Sequence, residues 1–363
     1  MRVDSIRLIN FRNYVDQDIS FHEGTNLFFG DNAQGKTNVL EGVFLCGTTK
    51  SHRGARDRDM IRFGQEEAHI RMQITKKDIP YRIDMHLKKN KAKGIAINGV
   101  PIRKAGELIG LGNFVFFSPE DLNIIKNGPS ERRRFVDMEL CQLSPVYLHE
   151  LAVYNRALMQ RNKLLKDLSF RPDYMETLDV WDEQLCESGK KIISMRREFI
   201  GQLNEIISGI HGKLSGGREI LTVGYEENVN EDSIADEMRK SRERDVRLKI
   251  THTGPHRDDI AFRTEKVDIR KFGSQGQQRT TALSVKLSEI ELVKRVTGDV
   301  PVLLLDDVLS ELDQSRQHFL LESIENIQTL ITCTGVDEYR KNHFRIDRLL
   351  HVNDGKVWED SNG

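Results

Sequence analysis

Three short stretches carry residues whose types and spacing could grip a triphosphate and a divalent cation. Gly30-Asp31-Asn32-Ala33-Gln34-Gly35-Lys36-Thr37 fits G-x-x-x-x-G-K-T, with the apolar run "TNLFF" before it and a helical pattern after it. The glycines let backbone N–H groups close around phosphate oxygens, and the start of the following helix favours the anion. Lys36 then reaches the β- and γ-phosphates, and the Thr37 hydroxyl ligates magnesium. The second stretch, "PVLLLDD", is a buried-strand run ending in two carboxylates. Asp306 is placed to hold magnesium, usually through water, and Asp307 to position or deprotonate an attacking water. Apolar strands ending in aspartate are common, and this one takes its weight from the glycine loop. The third, Ser274-Gln275-Gly276-Gln277, is a small polar turn opening a long helix with Leu283, Leu287, Ile290 and Val293 on one face. A hydroxyl and free amides at a helix start form a second anion site; an ordinary N-cap uses the same residues.

The elements that must bring these stretches together are far apart in the chain. The first hundred-odd residues read as strand and turn: "DSIRLINF", "DISF", "TNLFFG", "YRIDMHL" and "GIAINGVPI", the last with Asn98-Gly99 as a tight turn, then the buried "NFVFFSPEDL". From about Ser130 to Leu214 the period becomes helical, with Leu148, Leu151, Tyr154, Leu158 and Leu165 on one face and a break at Pro172. Two helices of that length form a hairpin, not a long coiled-coil arm. A charged helix, "DSIADEMRKSRERDVR", follows, and strand-like segments resume near Leu248. The expected class is α/β: a P-loop head with a mixed sheet and helices, plus a smaller helical lobe. The expected divisions are residues 1–124 and 246–363 for the head and 125–245 for the lobe.

Composition narrows the setting. The 363 residues are 31% charged and 38% hydrophobic, with no apolar run of membrane-spanning length and no signal-like N-terminus. Cys46, Cys141, Cys186 and Cys333 are scattered, which argues against a zinc site or disulfide framework and for a reducing cytoplasm. With a net charge of −1, a nucleic-acid partner would have to be met by local basic patches. Four are visible: Arg53, Arg56 and Arg58; Lys88, Lys89, Lys91 and Lys93 at a hairpin tip; Arg132 to Arg134; and Arg239 to Arg244. Charge runs are usually solvated faces; "SERRRF" and "SHRGAR" rank highest here. No helix-turn-helix, zinc-finger or RNP motif is present, so contacts should go to the phosphate backbone, with weak sequence preference and strong salt dependence.

Taken together, the three stretches resemble the motif set of ABC-type ATPase heads, in which the serine-containing turn contacts the γ-phosphate held by the opposite subunit. "SELD" after the carboxylates matches their D-loop, with Asp313 near the dimer contact. More specifically, "IRLINFRNY", "GDNAQGKTNVLE", "KSHRGARDRDMIRFG", "FSPEDLNIIKNGPSERRRFVD", "TGPHRDD", "SQGQQRT" and "LLLDDVLSELD" occur in the order found in the RecF family of bacterial recombination mediators, over nearly the whole chain. The resemblance implies ATP and Mg2+ as cofactors, an ATP-dependent homodimer, DNA binding at single-stranded gaps, duplexes or junctions, and slow, DNA-stimulated hydrolysis. It also implies RecR and RecO as partners, assistance to RecA loading, and links to replication restart and the SOS response.

Carried over by position, Gly30 to Thr37 bind nucleotide, Asp306 and Thr37 bind the metal, and Lys36 and Asp307 are catalytic. Ser274, Gln275 and Gly276 reach the partner's nucleotide, and Arg12 in "NFRNY" matches an arginine that approaches the phosphates. The chain departs from the wider ABC pattern at three points. "SPEDL" offers Glu120 and Asp121 where related heads carry a glutamine loop, and the strand "TLITCTGVDE" ends in Thr334 and Gly335 without a switch histidine. His256 in "GPHRDD" reads as a turn-stabilising residue. Asp307 stands where transporters use glutamate, and its shorter reach would slow hydrolysis. Two other readings share these motifs: an ATP-binding switch with negligible turnover, and a transporter-type ATPase subunit. The long interval from Lys36 to Ser274 and the lack of a coupling region weigh against the transporter.

Overall fold

The computed structural model describes residues 1–168, 172–265, 267–336, 339 and 344–360. In chain order the strands are β1 (Arg2–Phe11), β2 (Tyr14–Ser20), β3 (Thr25–Phe29), β4 (Glu67–Lys76), β5 (Ile79–Lys88), β6 (Lys91–Ile97), β7 (Val100–Pro101), β8 (Phe114–Phe117), β9 (Leu221–Glu226), β10 (Asp259–Thr264), β11 (Val267–Asp268), β12 (Val302–Asp306), β13 (Thr329–Cys333), β14 (Arg348–Asn353) and β15 (Lys356–Glu359). The helices are α1 (Lys36–Thr48), α2 (Leu122–Lys126), α3 (Pro129–Leu143), α4 (Pro145–Asp167), α5 (Leu178–Leu214), α6 (Ile234–Leu248), α7 (Ile269–Phe272), α8 (Gln275–Thr297) and α9 (Gln314–Ser323). Two compact units result. Met1–Asp121 and Glu289–Gly363 form one, and Leu122–Ser288 forms the other.

The first unit contains two six-stranded sheets, ordered β2-β1-β4-β5-β6-β7 and β15-β14-β3-β13-β12-β8. The former is antiparallel and alternates cleanly: Ala68, Ile70, Met72 and Ile74 of β4 face inward while Glu67, His69 and Arg71 face out. Asn98 and Gly99 turn β6 into β7 with φ of 50° and 82°, the positive pair that the two-residue hairpin demands. In the second sheet β14, β3, β13, β12 and β8 run parallel and read as near-continuous apolar runs, as strands covered on both faces do. Helix α1 packs against strands of both sheets, so it is buried almost all round from Val39 to Thr48. Glycines permit the approach: a Cβ on Gly47 would lie 2.2 Å from the Phe114 ring.

The second unit holds the long hairpin α4–α5, of 23 and 37 residues, with α3, α6 and the three-stranded sheet β11-β10-β9. The buried stripe of α4 is Tyr147, Glu150, Tyr154, Ala157, Arg161 and Leu165. It is rotated from the expected leucine face because Arg161, fully buried, pairs with Asp182 at 2.5 Å and Asp245 at 2.7 Å. The chain returns to the first unit at Glu289, inside α8, and not at residue 246 as the sequence analysis placed it. The reason is β-pairing: β10 runs antiparallel to β9 from Asp259↔Glu226 to Thr264↔Leu221, which ties residues 259–264 to the second unit.

Candidate nucleotide-binding site

The topology brings the glycine loop and the carboxylates together. Strand β13 lies between β3 and β12, parallel to both, so residues following β3 and ending β12 emerge on the same edge. There the Thr37 hydroxyl donates to Asp306 Oδ1 at 2.6 Å, and Thr332 Oγ1 of β13 donates to the same oxygen at 2.7 Å. Two hydroxyls on one carboxylate oxygen, next to a glycine-rich anion loop, make a hard oxygen donor set of the kind magnesium prefers. The Lys36 ammonium donates to the carbonyls of Gly30 at 2.6 Å and Asp31 at 2.8 Å, across the mouth of the loop. Burial holds its pKa below the usual lysine value, opposed by Cys333, Asp307, Asp306 and Asp31. Asp307 sits at φ 50°, an uncommon left-handed conformation that aspartate tolerates better than most residues. Burial first, then the neighbouring Asp306, raise its pKa, while Ser310 and Lys36 oppose the shift.

The loop is held from behind by residues that sequence reasoning did not single out. Asn13 Nδ2 donates to Gln34 O at 2.8 Å and Tyr14 Oη to Gly35 O at 3.0 Å. From the β14–β15 turn, the Asp354 amide reaches Gln34 Oε1 at 2.7 Å and the Gly355 amide reaches Gln34 O at 3.2 Å. Asp31 and Asn32 contribute backbone to this loop, and Ala33 takes φ 64° within it. A cavity of about 370 Å³ opens in front, bordered by Lys36, Thr37, Asp306, Asp307, His52 and Glu120. His52 is fixed there by stacking on Phe116 at 3.8 Å between centroids. Arg53, read from sequence as a DNA contact, also borders the cavity, and Asp121 instead caps the Ser118 amide at 2.7 Å.

Other expected residues lie elsewhere. Arg12 does not border the cavity; it forms a two-pronged ion pair with the fully buried Glu41 of α1 at 2.7 and 2.8 Å and donates to Asp59 O at 2.8 Å. Burial alone would raise the Glu41 pKa, but hydrogen bonds from Arg12 and Ser51 outweigh it and hold the carboxyl below its ordinary value. Ser274 and Gln277 form a reciprocal cap on α8, with Ser274 N to Gln277 Oε1 at 2.8 Å and Gln277 N to Ser274 Oγ at 3.2 Å. Ser274, Gln275 and Gly276 are exposed on the second unit. Asp313 caps α9, accepting from the Arg316 amide at 3.1 Å.

Two arginines of the "SERRRF" cluster are engaged within the fold. Arg132 is 1% exposed and pairs with Asp259 at 2.6 Å, while Arg133 donates to Asp258 O at 2.5 Å. In the charged helix Arg239, Lys240 and Arg242 each hold a carboxylate. His256 Nε2 faces the Thr251 carbonyl at 3.0 Å, so it carries the proton and Nδ1 accepts from Tyr154 Oη at 2.7 Å. It stabilises its turn.

The mixed sheets, the glycine loop and the paired aspartates define an SMC-like P-loop head, and comparison with known proteins agrees. A family model described as the RecF/RecN/SMC N-terminal domain matches residues 2–356. The DNA replication and repair protein RecF of Agathobacter rectalis is 60% identical over 357 residues, covering 98% of this chain and 99% of that protein. RecF of Lachnospira eligens is 57% identical, with 98% and 99% covered. A solved structure of the recombination mediator RecF with ATP superimposes with a TM-score of 0.92 at 35% identity, over 99% of this chain and 97% of that one. The Smc head domain of Pyrococcus furiosus, at 19% identity, TM-score 0.59 and 99% and 96% coverage, shares the fold. The chain belongs to the RecF/RecN/SMC N-terminal domain family and, within it, to the RecF proteins of DNA replication and repair. Among the described residues no helix is long and apolar enough to cross a membrane.

Proposed function

We propose that this protein binds ATP at Gly30–Thr37, dimerises around it, and holds DNA at single-stranded gaps or junctions during recombinational repair and replication restart. The observation that carries this reading is the Thr37–Asp306–Thr332 hydrogen-bonded cluster beneath the glycine loop. Thr37 Oγ1 and Asp306 would hold magnesium, which neutralises charge across the β- and γ-phosphate oxygens. Lys36 would leave its loop carbonyls for the phosphates, and Asp307 would orient the attacking water. A second copy's exposed Ser274-Gln275-Gly276 turn would close the site. The similarity to a RecF solved with ATP and named for the RecFOR pathway supports the same reading, with RecR and RecO as partners, a role in RecA loading and the SOS response, and a cytoplasmic location.

Hydrolysis is slow in this scheme, because Asp307 is one methylene shorter than glutamate. A switch that binds ATP with negligible turnover is the second reading, and single-turnover phosphate release separates the two. Hydrolysis that survives Asp307→Asn at the wild-type rate removes Asp307 as base. The central test is light scattering after size exclusion in the apo state, with ATP and with a slowly hydrolysed analogue. The expected result is a magnesium- and nucleotide-dependent dimer that Thr37→Ala abolishes; a monomer under all conditions, gapped DNA included, sinks the proposal.

A further inference from the structure

Phe63 lies outside everything assigned above and is 100% exposed, whereas no other described large apolar side chain exceeds 75%. A single apolar surface residue is ordinary; the setting of this one is not. Arg62 to Gln65 form a hydrogen-bonded turn, Gln65 N to Arg62 O at 3.0 Å, with Gly64 at φ 82° in the position that requires glycine. The turn is anchored on its N-terminal side: Arg62 N donates to Asn10 O at 2.7 Å, and Phe11 bridges Ile61. Space around Gly64 is open, with nothing within 4 Å of a Cβ built there. The ring is therefore presented outward on a braced corner.

Its surroundings carry both signs of charge, Lys88 and Lys89 being paired with Glu67 and Glu66. Three residues on, the Glu66 carbonyl accepts from the Lys89 amide at 3.2 Å, which places the lysine-bearing β5–β6 turn alongside. No carboxylate among the described residues lies within salt-bridge distance of Arg56, Arg62 or Lys91. Unlike Arg132 and Arg242, these charges are uncommitted. An exposed aromatic on a braced turn beside uncommitted cations is the combination by which proteins hold single strands: cations track the backbone, and a base stacks on the ring. Bases inside a duplex already stack on each other, so only an unpaired base can use the ring without melting a step.

We propose that Phe63 is a stacking platform for an unpaired nucleobase, with Arg62 on its own turn and Lys91 on the neighbouring turn as phosphate contacts. This rests on the DNA-binding reading above. The test measures binding of the full chain, with ATP and magnesium, to a blunt duplex and to the same duplex carrying a short gap with 2-aminopurine at the junction. Phe63→Ala should weaken gap binding about tenfold, within the range measured for one stacked base, and should abolish 2-aminopurine quenching. Duplex affinity should stay within about twofold, and Phe63→Trp should restore both gap signals. Lys91→Glu should weaken both substrates and flatten the salt dependence. Equal affinities for Phe63→Ala and wild type on both substrates overturn the platform while leaving DNA binding intact. Loss of the nucleotide-dependent dimer in Phe63→Ala with DNA binding unchanged assigns the ring to a second copy and also overturns it. A wild type that binds neither substrate overturns the DNA-binding reading and the platform together.

Discussion

At the residue scale, the partner of a side chain decides what it can do, and partners are what a linear sequence conceals. The glycine loop was legible as a conformation because it is local: eight consecutive residues run from the end of β3 into the start of α1, and they set Lys36 and Thr37 beside one another. In "SERRRF" Arg132 was misleading because the carboxylate that claims it is Asp259, far along the chain. The partner of Arg12 was hidden for a similar reason, since Glu41 lies within an otherwise apolar helical run and only the fold shows it fully buried. These assignments separate cleanly in experiment. Arg132→Ala leaves Asp259 uncompensated and should destabilise the protein by about 3 kcal/mol, at the low end for a broken buried pair because Asp259 keeps some exposure. Urea melts measure it. Arg56→Glu, at a solvated site, should leave the melt within about 0.5 kcal/mol of wild type. Comparable destabilisation by the two variants would contradict the buried assignment.

At the scale of elements, the strands and the long hairpin were readable from period alone, but the strand-to-unit assignment was not. β10 resembles any return strand to the head; its pairing with β9 takes it elsewhere. The glycine loop illustrates how elements enforce a local conformation. At Gly30, φ is 149° and a Cβ would sit 2.2 Å from Val352 O, a backbone atom of β14 that cannot step aside. Gly30→Ala should therefore abolish nucleotide binding in a fluorescent-analogue titration and lower the melting temperature, whereas Gly64→Ala, with open space, should cost only its positive-φ strain. In the second unit, burial lowers the His256 pKa to about 4 against an unfolded value near 6.5. The unfolded state then binds the proton first as pH falls. The stability contribution is full above about pH 6.5 and is lost towards pH 4, by at most about 3 kcal/mol at 1.36 kcal/mol per unit. Urea melts across that range should show His256→Gln with a shallower slope than wild type; parallel slopes would remove His256 as the cause.

At the scale of the whole molecule, the chain divides into Met1–Asp121 with Glu289–Gly363 and the intervening Leu122–Ser288, which contains the signature turn. The reach of the signature turn is a matter for the dimer, because Ser274, Gln275 and Gly276 are exposed and Ser274 is held within its own cap, by Gln277. Ser274→Arg should leave the melting temperature within a few degrees and nucleotide binding by the monomer intact, yet prevent the ATP-dependent dimer in light scattering. A normal dimer would show that a different surface joins the copies.

The position of β3 at the centre of its sheet bears on how the protein is made. Its hydrogen-bonding neighbours are β13 and β14, from Thr329 onward, so neither flank of "TNLFF" has a partner until nearly the whole chain has been synthesised. At bacterial elongation rates of roughly 5–20 residues per second, that strand waits about 15–60 s on the ribosome. During that interval the loop after it also lacks the β14–β15 turn that braces Gln34. A nascent chain of this protein thus exposes an unpaired apolar strand for that interval, and fragments released before about residue 350 should fail to bind a fluorescent nucleotide analogue although their glycine motif is intact.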